Sequence, residues 1–266
     1  MTTGMAGFSE DTFTHDGITH PVFRKGSGPA VIVIAEMPGI TPKVLEFAER
    51  VVALGCTVVL PQLFGEPGRD ISVPYALKSI SKGCVSREFT VLARGQASPV
   101  TVWLRALARH EHAACGGPGV GAVGMCFTGG FALAMMVDPS VVAPVLSQPS
   151  LPFAIGRKGK RDLGISDADI QKARARMQDD GICLLGLRFT GDTLVPKERF
   201  DRMREEFGSG FVAVELDSSP GNPDGFRKKA HSVLTEDLVD VEGNSSRDAL
   251  NQVLDLFRSR LLEPAT

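Results

Sequence analysis

The chain reads as an α/β protein with a mostly parallel central sheet and helices on both faces. Two observations carry this. Short β-branched apolar runs are continuous rather than alternating, as strands buried on both faces should be. They also alternate with amphipathic segments that begin at Thr-Pro, Ser-Pro or Val-Pro steps, which is the order of βαβ units.

The elements follow in order. Residues 30–35 (AVIVIA) form the first clear strand. After Pro38-Gly39, Thr41-Pro42 opens a helix whose apolar face is Val44, Leu45, Phe47, Ala48, Val51 and Val52, with proline in the first turn where it is tolerated. Gly55 closes it, and residues 57–60 return as a strand. Ser98-Pro99 opens a helix carrying Trp103, Leu104 and Leu107. Strands are expected at 120–123 and 141–146, with a helix over 127–137 between them. A polar, basic stretch from about 155 to 180 contains one helix, started by Ser166 and Asp169 in a capping-box-like pair. Its cationic run (Arg157, Lys158, Lys160, Arg161) reads as a solvated surface. A strand at 182–189, a helix at 196–207, a strand at 211–216 and a helix at 247–262 complete the pattern. The last helix puts Leu250, Val253, Leu254, Phe257 and Leu261 on one face. No internal repeat or low-complexity linker interrupts the chain, which is expected to form a single domain over 1–266. The stretch at about 155–180 is either a helical cap or a crossover insertion.

Composition narrows the function classes. The 266 residues are 43% hydrophobic and 23% charged, enough to bury one large core. A formal charge of −2 offers no strong attraction to nucleic acid or to an anionic membrane. No run approaches about 18 apolar residues, and residues 1–16 lack the charged start and apolar run of a signal peptide. Five cysteines without paired spacing argue against a disulfide framework or a zinc motif and for a reducing compartment, so a cytoplasmic location is expected. No phosphate loop or dinucleotide fingerprint occurs; no cofactor and no metal are expected. The expected partner is a small molecule, and the oligomeric state is left open.

In such folds ligands sit at the carboxyl ends of strands. After the strand ending at Val123 comes Gly124-Met125-Cys126-Phe127-Thr128-Gly129-Gly130, a strand, a tight turn around one nucleophile, then a helix. On its own this segment fits equally a small buried cysteine in a Gly-rich joint. After the strand ending at Phe189 comes Gly191-Asp192-Thr193-Leu194-Val195-Pro196, where Asp192 is either a helix cap or an acid partner. Lys229-Ala230-His231-Ser232 follows the strand ending at Leu216 and holds the one histidine of the C-terminal half. His15 and His20 lie in the N-terminal tail, and His110 and His112 after a helix end. Nucleophile, acid and histidine, each after its own strand, is the chain order of the α/β-hydrolase fold.

With these residues the chain resembles the dienelactone hydrolase family from about residue 30 to residue 231. The resemblance rests on Glu36 in AEMPG, Cys126 in GMCFTGG, Asp192 in GDTLVP and His231 in KAHSVL. It implies an α/β-hydrolase fold, a cysteine in place of the usual serine, a glutamate (Glu36) that contacts the resting thiol, and arginines that receive a substrate carboxylate. Arg87 in Ser86-Arg87-Glu88-Phe89 matches one such arginine. Two departures stand out. Thr128 replaces the glycine usual two residues after the cysteine, and Thr235 stands where the family carries its second arginine.

The expected activity is therefore hydrolysis of an ester or enol-lactone bond through Cys126, His231 and Asp192, of carboxymethylenebutenolidase type. Backbone N–H groups of Met37 and Phe127 would form the oxyanion hole. A broader carboxylesterase or thioesterase on the same scaffold, and a non-catalytic relative that binds a small molecule, are the alternatives.

Overall fold

A computed structural model describes residues 5–72, 75, 98–151 and 156–263 of the protein. Arg87 and Cys84 lie outside the described residues.

Among the described residues the strands form one eight-stranded sheet in the order β1-β2-β4-β3-β5-β6-β7-β8. These are β1 (Ser9–His15), β2 (Ile18–Gly26), β3 (Ala30–Ile34), β4 (Thr57–Pro61), β5 (Val120–Met125), β6 (Val141–Ser147), β7 (Leu184–Phe189) and β8 (Phe211–Leu216). From β4 to β8 every pairing is parallel. The antiparallel part is β1 and β2, which extend the sheet beyond β4.

This hairpin corrects the placement of His15 and His20 in an N-terminal tail. Asp16 (φ 49°) and Gly17 (φ 76°) both take positive φ, the Asp-Gly turn that joins antiparallel strands with the right twist. His15 and His20 are thereby strand residues, and His20 stacks edge-on to Trp103. His110 and His112 lie inside a helix rather than after it.

Among the described residues the α-helices are α1 (Pro42–Ala53), α2 (Pro99–Cys115), α3 (Gly129–Met135), α4 (Gly156–Lys160), α5 (Asp167–Asp179), α6 (Lys197–Phe207) and α7 (Ser245–Phe257). Their starts follow the expected cap chemistry: Thr41, Ser98 and Ser166 each accept a hydrogen bond from a first-turn N–H. α7 continues as a π-helical turn over Arg258–Leu262. α3 is shorter than expected, because Cys126–Thr128 form a 3₁₀ turn before it.

Alternate residues of the parallel strands face opposite layers, as the period of two requires. Ile32, Ile34 and Ala122 pack against α2, α3, α5 and α6, through Trp103, Leu104, Phe131, Ile170 and Phe200. Val31, Val33, Val58 and Val123 pack against α1 and α7, through Phe47, Val51, Leu250 and Phe257. α5 is the crossover helix between β6 and β7. Arg176 ties it to the carbonyls of Met136, Asp138 and Val141. The cationic run is solvated, with Lys160 and Arg161 paired to Glu198 and Glu205.

Register brings the chemistry-bearing loops together. Ile34 pairs with Gly124, and Met125 pairs with Ser147. Counting onward, Glu36, Cys126 and Gln148 stand level at the carboxyl ends of three adjacent strands. Thr128 stitches this edge. Its buried hydroxyl accepts from Met125 N–H (2.9 Å) and lies within donating distance of the carbonyls of Ile34 and Met125 (2.8 Å each). The departure from the family pattern is thus a hydrogen-bonded side chain joining β3 to the turn after β5. Thr128→Val should lower stability by about 1–3 kcal/mol, the cost of leaving buried polar groups unpaired, while Thr128→Ser should lose less. Urea denaturation of the three proteins reads this directly.

Candidate active site

Cys126 sits at a turn whose strain falls on the cysteine itself. Its φ is 55°, a left-handed conformation that costs a non-glycine residue about 1–3 kcal/mol and that clusters at functional sites. The flanking glycines supply space rather than left-handed backbone. A Cβ on Gly124 would lie 2.1 Å from the Thr128 carbonyl oxygen, and one on Gly129 would lie 2.6 Å from Pro149 Cα. The chain therefore turns tightly enough to lift one side chain out of the sheet.

Around the sulfur the fold brings several groups together. Cys126 Sγ lies 3.2 Å from Ser150 Oγ, and Ser150 N–H donates to the Cys126 carbonyl at 3.0 Å. Cys126 Sγ, a ring nitrogen of His231 and a carboxylate oxygen of Glu36 all lie within 4.8 Å of one another. Asp192, buried after β7, accepts from Leu194 N–H through Oδ1 (2.9 Å) and meets His231 Nδ1 through Oδ2 (2.6 Å). That contact assigns the Nδ1 proton toward Asp192 and leaves Nε2 free to act. Nε2 is buried and has no hydrogen-bond partner among the described residues. Burial opposes protonation of His231, but the Asp192 hydrogen bond and the neighbouring Cys126 outweigh it and push the imidazole up to about 11.

Glu36 is 4% exposed and hydrogen-bonded through both oxygens. Its Oε2 accepts from Ser232 Oγ (2.7 Å) and Gln148 Nε2 (3.2 Å), and its Oε1 from the Thr235 hydroxyl. Thr235, where the family carries an arginine, is here a ligand of the glutamate. Met37 follows Glu36 in the loop after β3, and Phe127 follows Cys126 after β5. Their backbones thus lie at the ends of neighbouring strands.

Sequence reasoning passed over four residues that build this site. Gln148, itself at φ 37°, links Glu36 to Val233 N–H (3.2 Å) in the histidine loop. Ser150 contacts the thiol. Arg188, buried, donates to the carbonyls of Val195 (2.9 Å) and Thr190 (3.1 Å), clasping the loop that carries Asp192. Asp237 accepts from the backbone N–H groups of His231 (2.7 Å) and Ser232 (3.1 Å) and pairs with Arg227 (2.8 Å). The positive φ at Gln148 leaves no mark in sequence, and Ser150 acts on a cysteine far back along the chain. Asp237, six residues after His231, is a local side-chain-to-backbone acceptor, the one signal of the four that the sequence carries.

Burial pushes the Asp237 carboxyl up. The Arg227 hydrogen bond and the two backbone N–H groups outweigh burial and hold it below the usual carboxylate range. A depressed carboxylate stabilises the fold above its unfolded pKa, and that contribution fades as pH falls through the folded value. Asp237→Asn should therefore cost about 1.5–3 kcal/mol at neutral pH. Chemical denaturation as a function of pH should show the gap to the parent narrowing only below about pH 4.

The comparisons with known proteins agree with this architecture. The chain matches the dienelactone hydrolase family model over residues 20–261. No curated protein matches it. Among solved structures, a dienelactone hydrolase assigned as putative from Klebsiella pneumoniae subsp. pneumoniae aligns with TM-score 0.59 and 18% identity, covering 94% of this chain and 97% of that one. A dienelactone hydrolase-like promiscuous phosphotriesterase from metagenomic libraries aligns with TM-score 0.61 and 17% identity, over 96% and 98%. A cold-adapted esterase from an Arctic intertidal metagenomic library aligns with TM-score 0.59 and 13% identity, over 96% and 95%. At these identities the structural likenesses show the α/β-hydrolase fold, and the family match shows more: the chain belongs to the dienelactone hydrolase family.

Proposed function

We propose that the protein is a carboxylic ester hydrolase acting on esters or enol lactones through Cys126, His231 and Asp192. The observation that carries the reading is the 2.6 Å Asp192–His231 contact, which leaves Nε2 unpartnered beside a cysteine on a strained turn. The raised His231 can take up and hold the thiol proton as the cysteine attacks in its thiolate form.

In this mechanism the thiolate attacks the carbonyl carbon. The electron pair displaced onto oxygen is stabilised by the N–H groups of Phe127 and Met37. His231 Nε2 delivers its proton to the departing alkoxide or enolate, and a thioester remains on Cys126. Water then attacks the thioester while His231 takes its proton, and the thiolate is expelled. Asp192 keeps the imidazole in the productive tautomer throughout. A thiolate leaves a tetrahedral intermediate more readily than an alkoxide does, which favours substrates with good leaving groups and disfavours amides. No cofactor takes part. The free cysteines among the described residues suit a reducing, cytoplasmic setting. No helix among them is long and apolar enough to cross a membrane.

Thr235 favours a second reading on the same chemistry, a carboxylesterase or thioesterase of broader range. Bonded to Glu36, it supplies no cation for a substrate carboxylate; that role would fall to Arg87 alone. A carboxylate-bearing enol lactone compared with neutral aryl esters and thioesters separates the two readings.

Three outcomes are expected. Cys126→Ala should abolish turnover on this panel, and Asp192→Asn should lower kcat by about 10²–10⁴-fold. Electrospray mass spectrometry of the parent should show an acyl adduct on Cys126. Full activity in Cys126→Ala, or no turnover on any panel member, would sink the proposal. Separately, Glu36 is expected to oppose the free thiolate through its negative charge until substrate enters. Glu36→Gln should then react faster with iodoacetamide at Cys126, and an unchanged rate would remove that role.

A further inference from the structure

We propose that Cys126, His231 and Glu36 form a binding site for one thiophilic divalent cation of the zinc type. Bound there, the ion caps the nucleophile and silences it reversibly. No metal-ligand spacing occurs along the chain, because the three ligands are contributed by three loops far apart in sequence. The fold nevertheless brings a sulfur, an imidazole nitrogen and a carboxylate oxygen within 4.8 Å of one another.

The ligand set is that of a three-coordinate zinc site with an open fourth position. Zinc takes thiolate sulfur at about 2.3 Å and imidazole nitrogen or carboxylate oxygen at about 2.0–2.2 Å, so tetrahedral ligands stand about 3.3–3.8 Å apart. The 4.8 Å limit on the observed separations exceeds that span by about an ångström, so at most a small closure is required. Nε2 is buried with no hydrogen-bond partner, as a nitrogen awaiting a ligand would be.

The stronger argument lies behind the three ligands. A metal-binding histidine almost always gives its other ring nitrogen to a carboxylate, and ligating carboxylates are themselves hydrogen-bonded. Both conditions already hold here. Asp192 engages Nδ1 at 2.6 Å, and Glu36 is oriented by Ser232, Gln148 and Thr235. Glu36 Oε1, which accepts one hydrogen bond where Oε2 accepts two, keeps lone-pair capacity for a metal. One thiolate, one imidazole and one carboxylate suit Zn²⁺ or Co²⁺, whereas Mg²⁺ and Ca²⁺ require mostly oxygen ligands. Binding is balanced by the release of one proton, the one that Cys126 and His231 share. No oxidation or reduction occurs. Metal binding needs no hydrolytic activity; only the silencing rests on the proposed thiol chemistry.

The test uses Co²⁺ as an optical probe and Zn²⁺ as a competitor on the full chain. Co²⁺ titration should raise a near-ultraviolet thiolate-to-cobalt charge-transfer band that saturates at one ion per chain, and Zn²⁺ should bleach it. Cys126→Ala should lose the band, and Asp192→Asn should weaken binding about 10–100-fold. In the parent protein, Zn²⁺ but not Mg²⁺ should protect Cys126 from iodoacetamide, read by peptide mass spectrometry. A full band in Cys126→Ala would overturn the proposal, as would an absent band together with unprotected alkylation in the parent. A chain inert on every ester that still binds Co²⁺ keeps the metal site and loses the hydrolase reading. A chain active on esters without the band does the reverse.

Discussion

The buried carboxylate of Glu36 constrains the site more than any other single group. A charge almost removed from water must be satisfied by donors, because leaving it unpaired costs far more than a neutral group would. Its donors come from Gln148 after β6 and from Ser232 and Thr235 in the histidine loop. One charge therefore ties the end of β3 to the end of β6 and to a loop about two hundred residues later. Gln148 closes the same circuit through Val233 N–H. His231 is held on its far side by Asp192 and underneath by Asp237, so the imidazole has little freedom to leave the thiol.

Cys126 is placed by a different means. No charge holds Cys126; the backbone does, through a left-handed residue at the turn and two glycines that let neighbouring backbone approach. Thr128 reinforces the turn with hydrogen bonds that a glycine could not make. A strained conformation persists only where its surroundings over-determine it, and here β3, β5 and the first turn of α3 do so. Electrostatics fix the histidine side and backbone geometry fixes the cysteine side, and the two meet where the strands end.

Much of the architecture was legible from pattern. Continuous apolar runs marked β3 through β8, and Thr41, Ser98 and Ser166 marked helix starts, because strand burial and helix capping are local properties. The hairpin of β1 and β2 is faint in pattern because its strands are half-exposed and polar, and Asp16-Gly17 is its one clear signal. α3 came out shorter because the turn after Cys126 is wound as 3₁₀ before the helix begins.

The same division runs through the site. Cys126, Asp192 and His231 stood out because each follows a strand in a fixed order, and Glu36 because its segment resembles that of a known family. Gln148, Ser150, Arg188 and Asp237 did not, since nothing in their local sequence distinguishes them from ordinary polar residues. The sequence by itself determined the βαβ alternation, the chain order of the reactive groups and the family. Only the tertiary structure decided that Thr235 binds Glu36, that Ser150 holds the thiol, and that a sulfur, an imidazole and a carboxylate converge within one ion's reach. The physical reason is register: hydrogen bonding between parallel strands sets which loop ends lie level, and that pairing joins residues that the linear chain keeps far apart.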